Sequence, residues 1–209
     1  MRMLCFGDSN TYGYDPHAQS GDRYPAEARW VDILAGRTSL KIWNAGQNGR
    51  EIPHLPPDLT QLDQLLADST PEITVVMLGT NDLLRGASVS KVCTRMELLL
   101  RSILPICSSV LLVAPPPMQR SSWVPHSKPI AASAKLAAGY QALSQTLHIA
   151  FANAADWGVT LTGDGIHFSE AGHRAFAQGI FAALCASFQI PIADRNTGYF
   201  RRESLSNHP

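Results

Sequence analysis

Four short blocks in this chain carry the residue types that acyl transfer needs: Gly7-Asp8-Ser9-Asn10, Asn44-Ala45-Gly46, Gly79-Thr80-Asn81-Asp82 and Asp164-Gly165-Ile166-His167. A serine hydroxyl is a weak nucleophile at neutral pH, so Ser9 would need a base to take its proton during attack. His167 suits that task because neutral imidazole titrates near physiological pH. Asp164 would accept a hydrogen bond from the other ring nitrogen, fix the tautomer and stabilise the imidazolium that forms. The tetrahedral intermediate then requires donors aimed at its oxyanion. The backbone N–H groups of Ser9 and Gly46 and the side-chain amide of Asn81 are the candidates.

Each block alone has a plainer reading. Gly-Asp-Ser makes an ordinary strand-to-turn connection, Gly46 a turn glycine and Asn81 a helix cap. Asp8 is read as structural, since a carboxylate beside the nucleophile raises the cost of forming negative charge there. The set gains meaning from the elements that must position it. Leu4 to Phe6, Leu40 to Trp43, Ile73 to Leu78, Val110 to Ala114 and Ile149 to Phe151 are short apolar stretches that read as buried strands. Between them Val89, Val92, Cys93, Met96, Leu99, Leu100 and Ile103 recur every three or four residues, as one face of a helix does. Phe176, Ile180, Phe181 and Leu184 repeat the pattern behind Ser169 as N-cap, and Ala26 to Leu34 and Asp58 to Leu66 show it less clearly.

Strand–helix alternation along the chain predicts an α/β fold. Five parallel strands covered by helices on both faces would make a three-layer, flavodoxin-like doubly wound sheet. Ligands in such sheets bind beyond the carboxyl ends of the strands. All four blocks fall there, along one edge.

Composition bounds the rest. The 209 residues, 45% hydrophobic and 16% charged, predict one domain over residues 1–188. The polar tail, residues 189–209, is expected to be flexible or to dock on a neighbouring subunit. Seventeen basic residues balance seventeen acidic ones, so nucleic acid is not the expected partner. No apolar run spans a bilayer, and the chain reaches Ser9 too early for a signal peptide, so neither a membrane nor secretion is expected. Cys5, Cys93, Cys107 and Cys185 lie far apart among apolar neighbours and read as reduced thiols of a cytoplasmic protein. No cofactor or metal is expected: His167 and His173 lack a third ligand at suitable spacing. His173 itself is expected on an exposed helix face.

In order, the four blocks resemble those of the SGNH (GDSL-like) hydrolase superfamily of esterases and lipases, over residues 3 to about 185. Within it, the run Leu4 to Tyr14, Arg29-Trp30 and Asn48-Gly49-Arg50 resemble the bacterial arylesterase and acyltransferase branch. The resemblance implies a serine esterase of short, acetyl-like esters, with some acyl transfer to alcohols and frequent homo-oligomers. It implies Ser9, Asp164 and His167 as catalytic residues and Ser9, Gly46 and Asn81 as the oxyanion hole.

On the substrate side, Asn10, Pro116 and Trp123 are the expected contacts. Asn10, Asn48 and Arg50 either line the site or satisfy loop backbone. The Pro115 to Pro129 loop is either a rigid surface loop or a wall of the pocket, with Trp123 offering a stacking face. Three other readings stay open. One is a lysophospholipase or thioesterase on longer acyl chains. Another is an aspartyl phosphatase echoed by Asp8-x-Asn10, which lacks the second carboxylate. The third is a carbohydrate-binding protein on the same fold.

Overall fold

In the computed structural model, which describes residues 1–18 and 22–193, each strand divides its side chains between two cores. Along β1 (Arg2–Gly7), Leu4 and Phe6 enter one core while Met3 and Cys5 enter the other. β3 (Ile73–Met77) and β4 (Val110–Ala114) alternate in the same way, and every residue of both is buried. Two-residue periodicity with both faces apolar leaves no solvent face, so helices must cover both sides.

β2 (Lys41–Gly46) and β5 (Ala150–Asn153) complete an all-parallel sheet in the order β2-β1-β3-β4-β5. The first core is closed by α3 (Pro56–Ser69), α5 (Val89–Ile103) and α6 (Ser127–Leu147). The second is closed by α2 (Trp30–Ala35) and α7 (Glu170–Ser187), whose N-cap Ser169 accepts the Gly172 N–H at 3.0 Å. The three-layer, five-stranded parallel fold read from the sequence is the fold observed. On α5, Val92, Met96, Leu99, Leu100 and Ile103 are all completely buried. Truncating one of them, as in Leu99→Ala, would cost about 2–5 kcal/mol.

Three local expectations change. The stretch from Ala26 to Leu34 is broken at Arg29, which takes an extended conformation between a 3₁₀ turn (Ala26–Ala28) and α2. The loop after β4 ends at His126, because Pro129 sits in the first turn of α6, where a missing N–H costs nothing. His173 is fully buried, with its ring 5.4 Å from that of Tyr24 and 5.3 Å from that of Phe168. Residues 191–193 pair back on the chain's own turn: Ser39 N–H donates to Pro191 O and Ala193 N–H to Arg37 O, both at 3.1 Å. The tail beyond them, residues 194–209, lies outside the described residues.

The register sets the site. Gly7 stands opposite Gly46 of β2 and Met77 of β3. The chain therefore leaves three adjacent strands at one level, and the segments after Gly7, Gly46 and Met77 meet at one edge.

Candidate active site

Ser9 opens a single helical turn, α1 (Ser9–Tyr12), directly behind β1. Gly7 permits this, since a Cβ there would lie 2.1 Å from Thr11 Oγ1. Asp8 is the N-cap, its carboxylate accepting the Asn10 N–H at 3.0 Å. Burial pushes the Asp8 carboxyl up to about 6, opposed by that N–H and by the positive charges of His167 and Arg50. It has the structural role expected of it.

The loop before α7 brings His167 to Ser9: Nε2 lies 3.0 Å from Ser9 Oγ, and Nδ1 lies 2.6 Å from Asp164 Oδ2. The other oxygen of Asp164 accepts the backbone N–H groups of Ile166 and His167, each at 2.9 Å. Burial raises the Asp164 carboxyl, but the His167 ring and these two N–H groups outweigh it and hold it well below the usual carboxylate range. A carboxylate at Nδ1 fixes the Nδ1–H tautomer, which leaves Nε2 free to accept the Ser9 proton. Ser9, Asp164 and His167 are all below a tenth exposed, so their bonds are little weakened by water.

Asn10, expected at the substrate, is instead a strut. Its Nδ2 donates to Ile166 O at 3.2 Å, its Oδ1 accepts the Phe168 N–H at 2.8 Å, and its carbonyl accepts Trp30 Nε1–H at 2.9 Å. Both ends of the buried amide are thus engaged in fastening α1 to the His167 loop.

Gly46 also stands apart from the serine pocket. Its N–H donates to Asn44 Oδ1 at 2.9 Å, and Asn44 Nδ2 in turn donates to Thr11 O at 2.9 Å. A Cβ at Gly46 would lie 2.0 Å from the Tyr12 backbone nitrogen. Glycine is required there for α1 to pack on β2, not for a ligand. The glycine that reaches the pocket is Gly49, at φ +72° with open space where a side chain would be. Its turn is held by Arg50, whose guanidinium donates to Gly7 O at 2.9 Å, to Ala45 O and to Gln47 Oε1, and lies 4.3 Å from the Phe6 ring centroid. Of the three residues left open, then, Asn10 fastens α1 to the His167 loop, Asn48 lines the pocket and Arg50 braces its loop.

Asn81 lies in α4 (Thr80–Leu84) and reaches the same pocket. One amide hydrogen goes to Arg50 O at 3.0 Å, leaving the second for a ligand. Beneath it, fully buried Asp82 accepts the Ile52 N–H at 3.0 Å and an Arg95 N–H at 2.6 Å, and Arg95 also reaches Glu51 at 3.1 Å. The Gly49 and Asn81 segments are therefore tied together through ion pairs as well as backbone.

The cavity over Ser9 measures about 290 Å³ and is walled by Tyr14, Leu84, Trp123 and Ile166. The rings of Tyr14 and Trp123 lie 4.6 Å and 6.1 Å from that of His167. Trp123 lines this cavity with an exposed ring. Pro116 is half-buried at the foot of the loop and does not reach the cavity. Ser121 does the positioning instead: its hydroxyl donates to Asp164 O and accepts the N–H groups of Trp123 at 3.1 Å and Val124 at 3.0 Å. A serine two residues before the aromatic is the local signal for such a turn. Tyr14, Leu84 and Ile166 carried none beyond their nearness to motif residues. Among the described residues no group of three His, Cys, Asp or Glu side chains is arranged to hold a metal.

A serine, histidine and aspartate joined by hydrogen bonds at the carboxyl edge of this doubly wound sheet define an SGNH-type carboxylic ester hydrolase. The chain belongs to the GDSL-like lipase/acylhydrolase family, whose pattern matches residues 5–175. Among solved structures it is similar to a carbohydrate acetylesterase from Sinorhizobium meliloti, with 28% identity, TM-score 0.78, and 90% of this chain and 99% of that one covered. It is similar also to a putative arylesterase from Agrobacterium tumefaciens and to the aryl esterase of M. smegmatis, each with 26% identity, TM-score 0.78 and the same coverage. No curated protein matches it in sequence.

Proposed function

We propose that the protein is a serine esterase of short, acetyl-like carboxylic esters, working through an acyl-enzyme on Ser9. The observation that carries this reading is the 3.0 Å contact of Ser9 Oγ with His167 Nε2, with Asp164 on the other ring nitrogen at 2.6 Å. As Ser9 Oγ bonds to the acyl carbon, its proton passes to Nε2, and the carbonyl electrons move onto oxygen. The Ser9 N–H, the Gly49 N–H and the second amide hydrogen of Asn81 stabilise that oxyanion. Collapse breaks the bond to the alcohol oxygen, which takes the proton from Nε2. Water then attacks the acyl-enzyme with Nε2 as base, releasing the acid and restoring Ser9. An alcohol in place of water gives acyl transfer.

The cavity of about 290 Å³ supports a small acyl group, and exposed Trp123 supports an aromatic or sugar ring in the alcohol half. The likeness in fold to an acetylesterase and an aryl esterase, at TM-score 0.78, supports the same substrate range. The unpaired state of all four cysteines supports a cytoplasmic location. The ester is the only small partner required; neither nucleic acid nor membrane is. Self-association into a homo-oligomer is part of the proposal, with light scattering as its check. Specificity constants for p-nitrophenyl esters of increasing acyl length test the reading: a maximum at acetate is expected, and a maximum at eight carbons or longer would replace it with a long-chain lipase or thioesterase.

A further inference from the structure

The cavity over Ser9 is small, about 290 Å³. Leu84, which walls it, also walls a larger groove of about 770 Å³ between the segment after α4 and the start of α6. Under the esterase reading, on which this inference rests, the acyl group fills the small cavity. Trp123 and Leu84 both wall that cavity, so an alcohol half stacked on Trp123 can extend across Leu84 to the groove.

The chemistry of the groove says what it would meet. Leu83, Leu84 and Val89 give an apolar wall, while His126, Lys128 and Lys135 border it, and among the described residues no Asp or Glu lines it. Lys128 and Lys135 lie seven residues apart on α6, so they share a face and stand about 10 Å apart along it. Neither has a carboxylate within 4.0 Å among the described residues. Elsewhere on the surface arginines are paired: Arg101 with Glu97 at 2.7 Å and Arg174 with Glu170 at 2.6 Å. An apolar groove beside the acyl site, bordered by two ammonium groups with no carboxylate partner among the described residues, is complementary to an alcohol with an apolar body and an anionic far end.

We infer that this groove is the leaving-group subsite and that it selects esters whose alcohol half ends in a carboxylate or similar anion. Lysine recognises such a group as a point charge, so the preference depends on charge and reach more than on planar geometry.

The experiment compares para-acetoxybenzoate and para-acetoxyphenylpropanoate, which differ in reach, each against its neutral primary amide. The ratio of kcat/KM, acid over amide, is read within one protein preparation, so losses of folded protein cancel. A ratio of about three to thirty is expected for at least one spacer at low salt, the range two exposed charge contacts provide. It should fall to one or below in the Lys128→Glu, Lys135→Glu double variant and shrink in molar salt. Lys41→Glu, at the amino end of β2, controls for net charge and should keep the ratio. Equal turnover of acid and amide at both spacers, or a ratio unmoved by the double variant, overturns the subsite. No turnover of any probe overturns the esterase reading and this inference with it.

Discussion

The side-chain oxygen of Asn10 accepts the backbone N–H of Phe168 at 2.8 Å, across 158 positions of sequence. Together with the Nδ2 bond to Ile166 O, it sets the His167 ring against the Ser9 hydroxyl from both sides of the histidine. Asn10→Ala should therefore lower kcat by about a hundredfold, the cost of misplacing a catalytic group by roughly 1 Å, while KM changes much less. Steady-state kinetics on folded protein check this; an unchanged kcat with a lowered Tm would leave Asn10 a purely structural strut.

Asn81 separates two roles in one side chain. One amide hydrogen holds Arg50 O and the other is available to an oxyanion. Asn81→Ala should reduce kcat by roughly a hundredfold or more and weaken a transition-state analogue such as a boronate in the same proportion. A variant that loses stability but keeps its rate per folded molecule would make Asn81 only a brace.

Ser121 holds the Trp123 turn against Asp164. In Ser121→Ala the Trp123 ring loses its fixed place, so partition toward an added aromatic alcohol should fall several-fold while hydrolysis falls less. Trp123→Ala should shift the partition in the same direction. Product ratios by chromatography decide, and unchanged partition in both variants would remove the loop from the alcohol site.

Two buried groups give opposite pH dependence. Burial raises Asp8 from 3.8 to about 6, so between about pH 4 and 6 the unfolded chain releases its proton first and stability falls as pH rises. Asp8→Asn keeps the cap and removes the ionisation, and should gain on the order of 3 kcal/mol at about pH 8. His173 is lowered from 6.5 to about 3, first by burial and then by the charges of Arg29 and His167. The unfolded chain therefore takes up a proton below about pH 6.5, at a cost of roughly 2 kcal/mol by about pH 5. His173→Leu should flatten that acid limb. Urea midpoints against pH for the two variants check both signs.

Strands and the α5 stripe were legible because fully apolar runs and a clean helical period each have one physical meaning. α6 was not, because Ala131, Ala134, Ala138 and Ala142 are exposed while Leu136, Tyr140 and Leu143 are buried, which blurs the stripe. Ser9, Asp164 and His167 were legible because each role demands a distinct residue type. The sequence does not tell Gly46, the last residue of β2, from Gly49 three positions on; the packing of Tyr12 on Gly46 and the open space at Gly49 separate them. Asn10 looked like a ligand contact because its partners Ile166 and Phe168 are distant in sequence. His173 looked exposed because a polar residue at a helical position carries no sign of the aromatic rings that enclose it.

The central claim is that Ser9 is the nucleophile that becomes acylated. Treating the protein with a serine-directed fluorophosphonate and mapping the added mass by peptide mass spectrometry tests it most directly. The label is expected on the Ser9 peptide in one-to-one ratio, with turnover lost in step, and Ser9→Ala should neither label nor turn over while keeping its Tm. A label on another serine, or ester turnover retained by folded Ser9→Ala, would contradict the account.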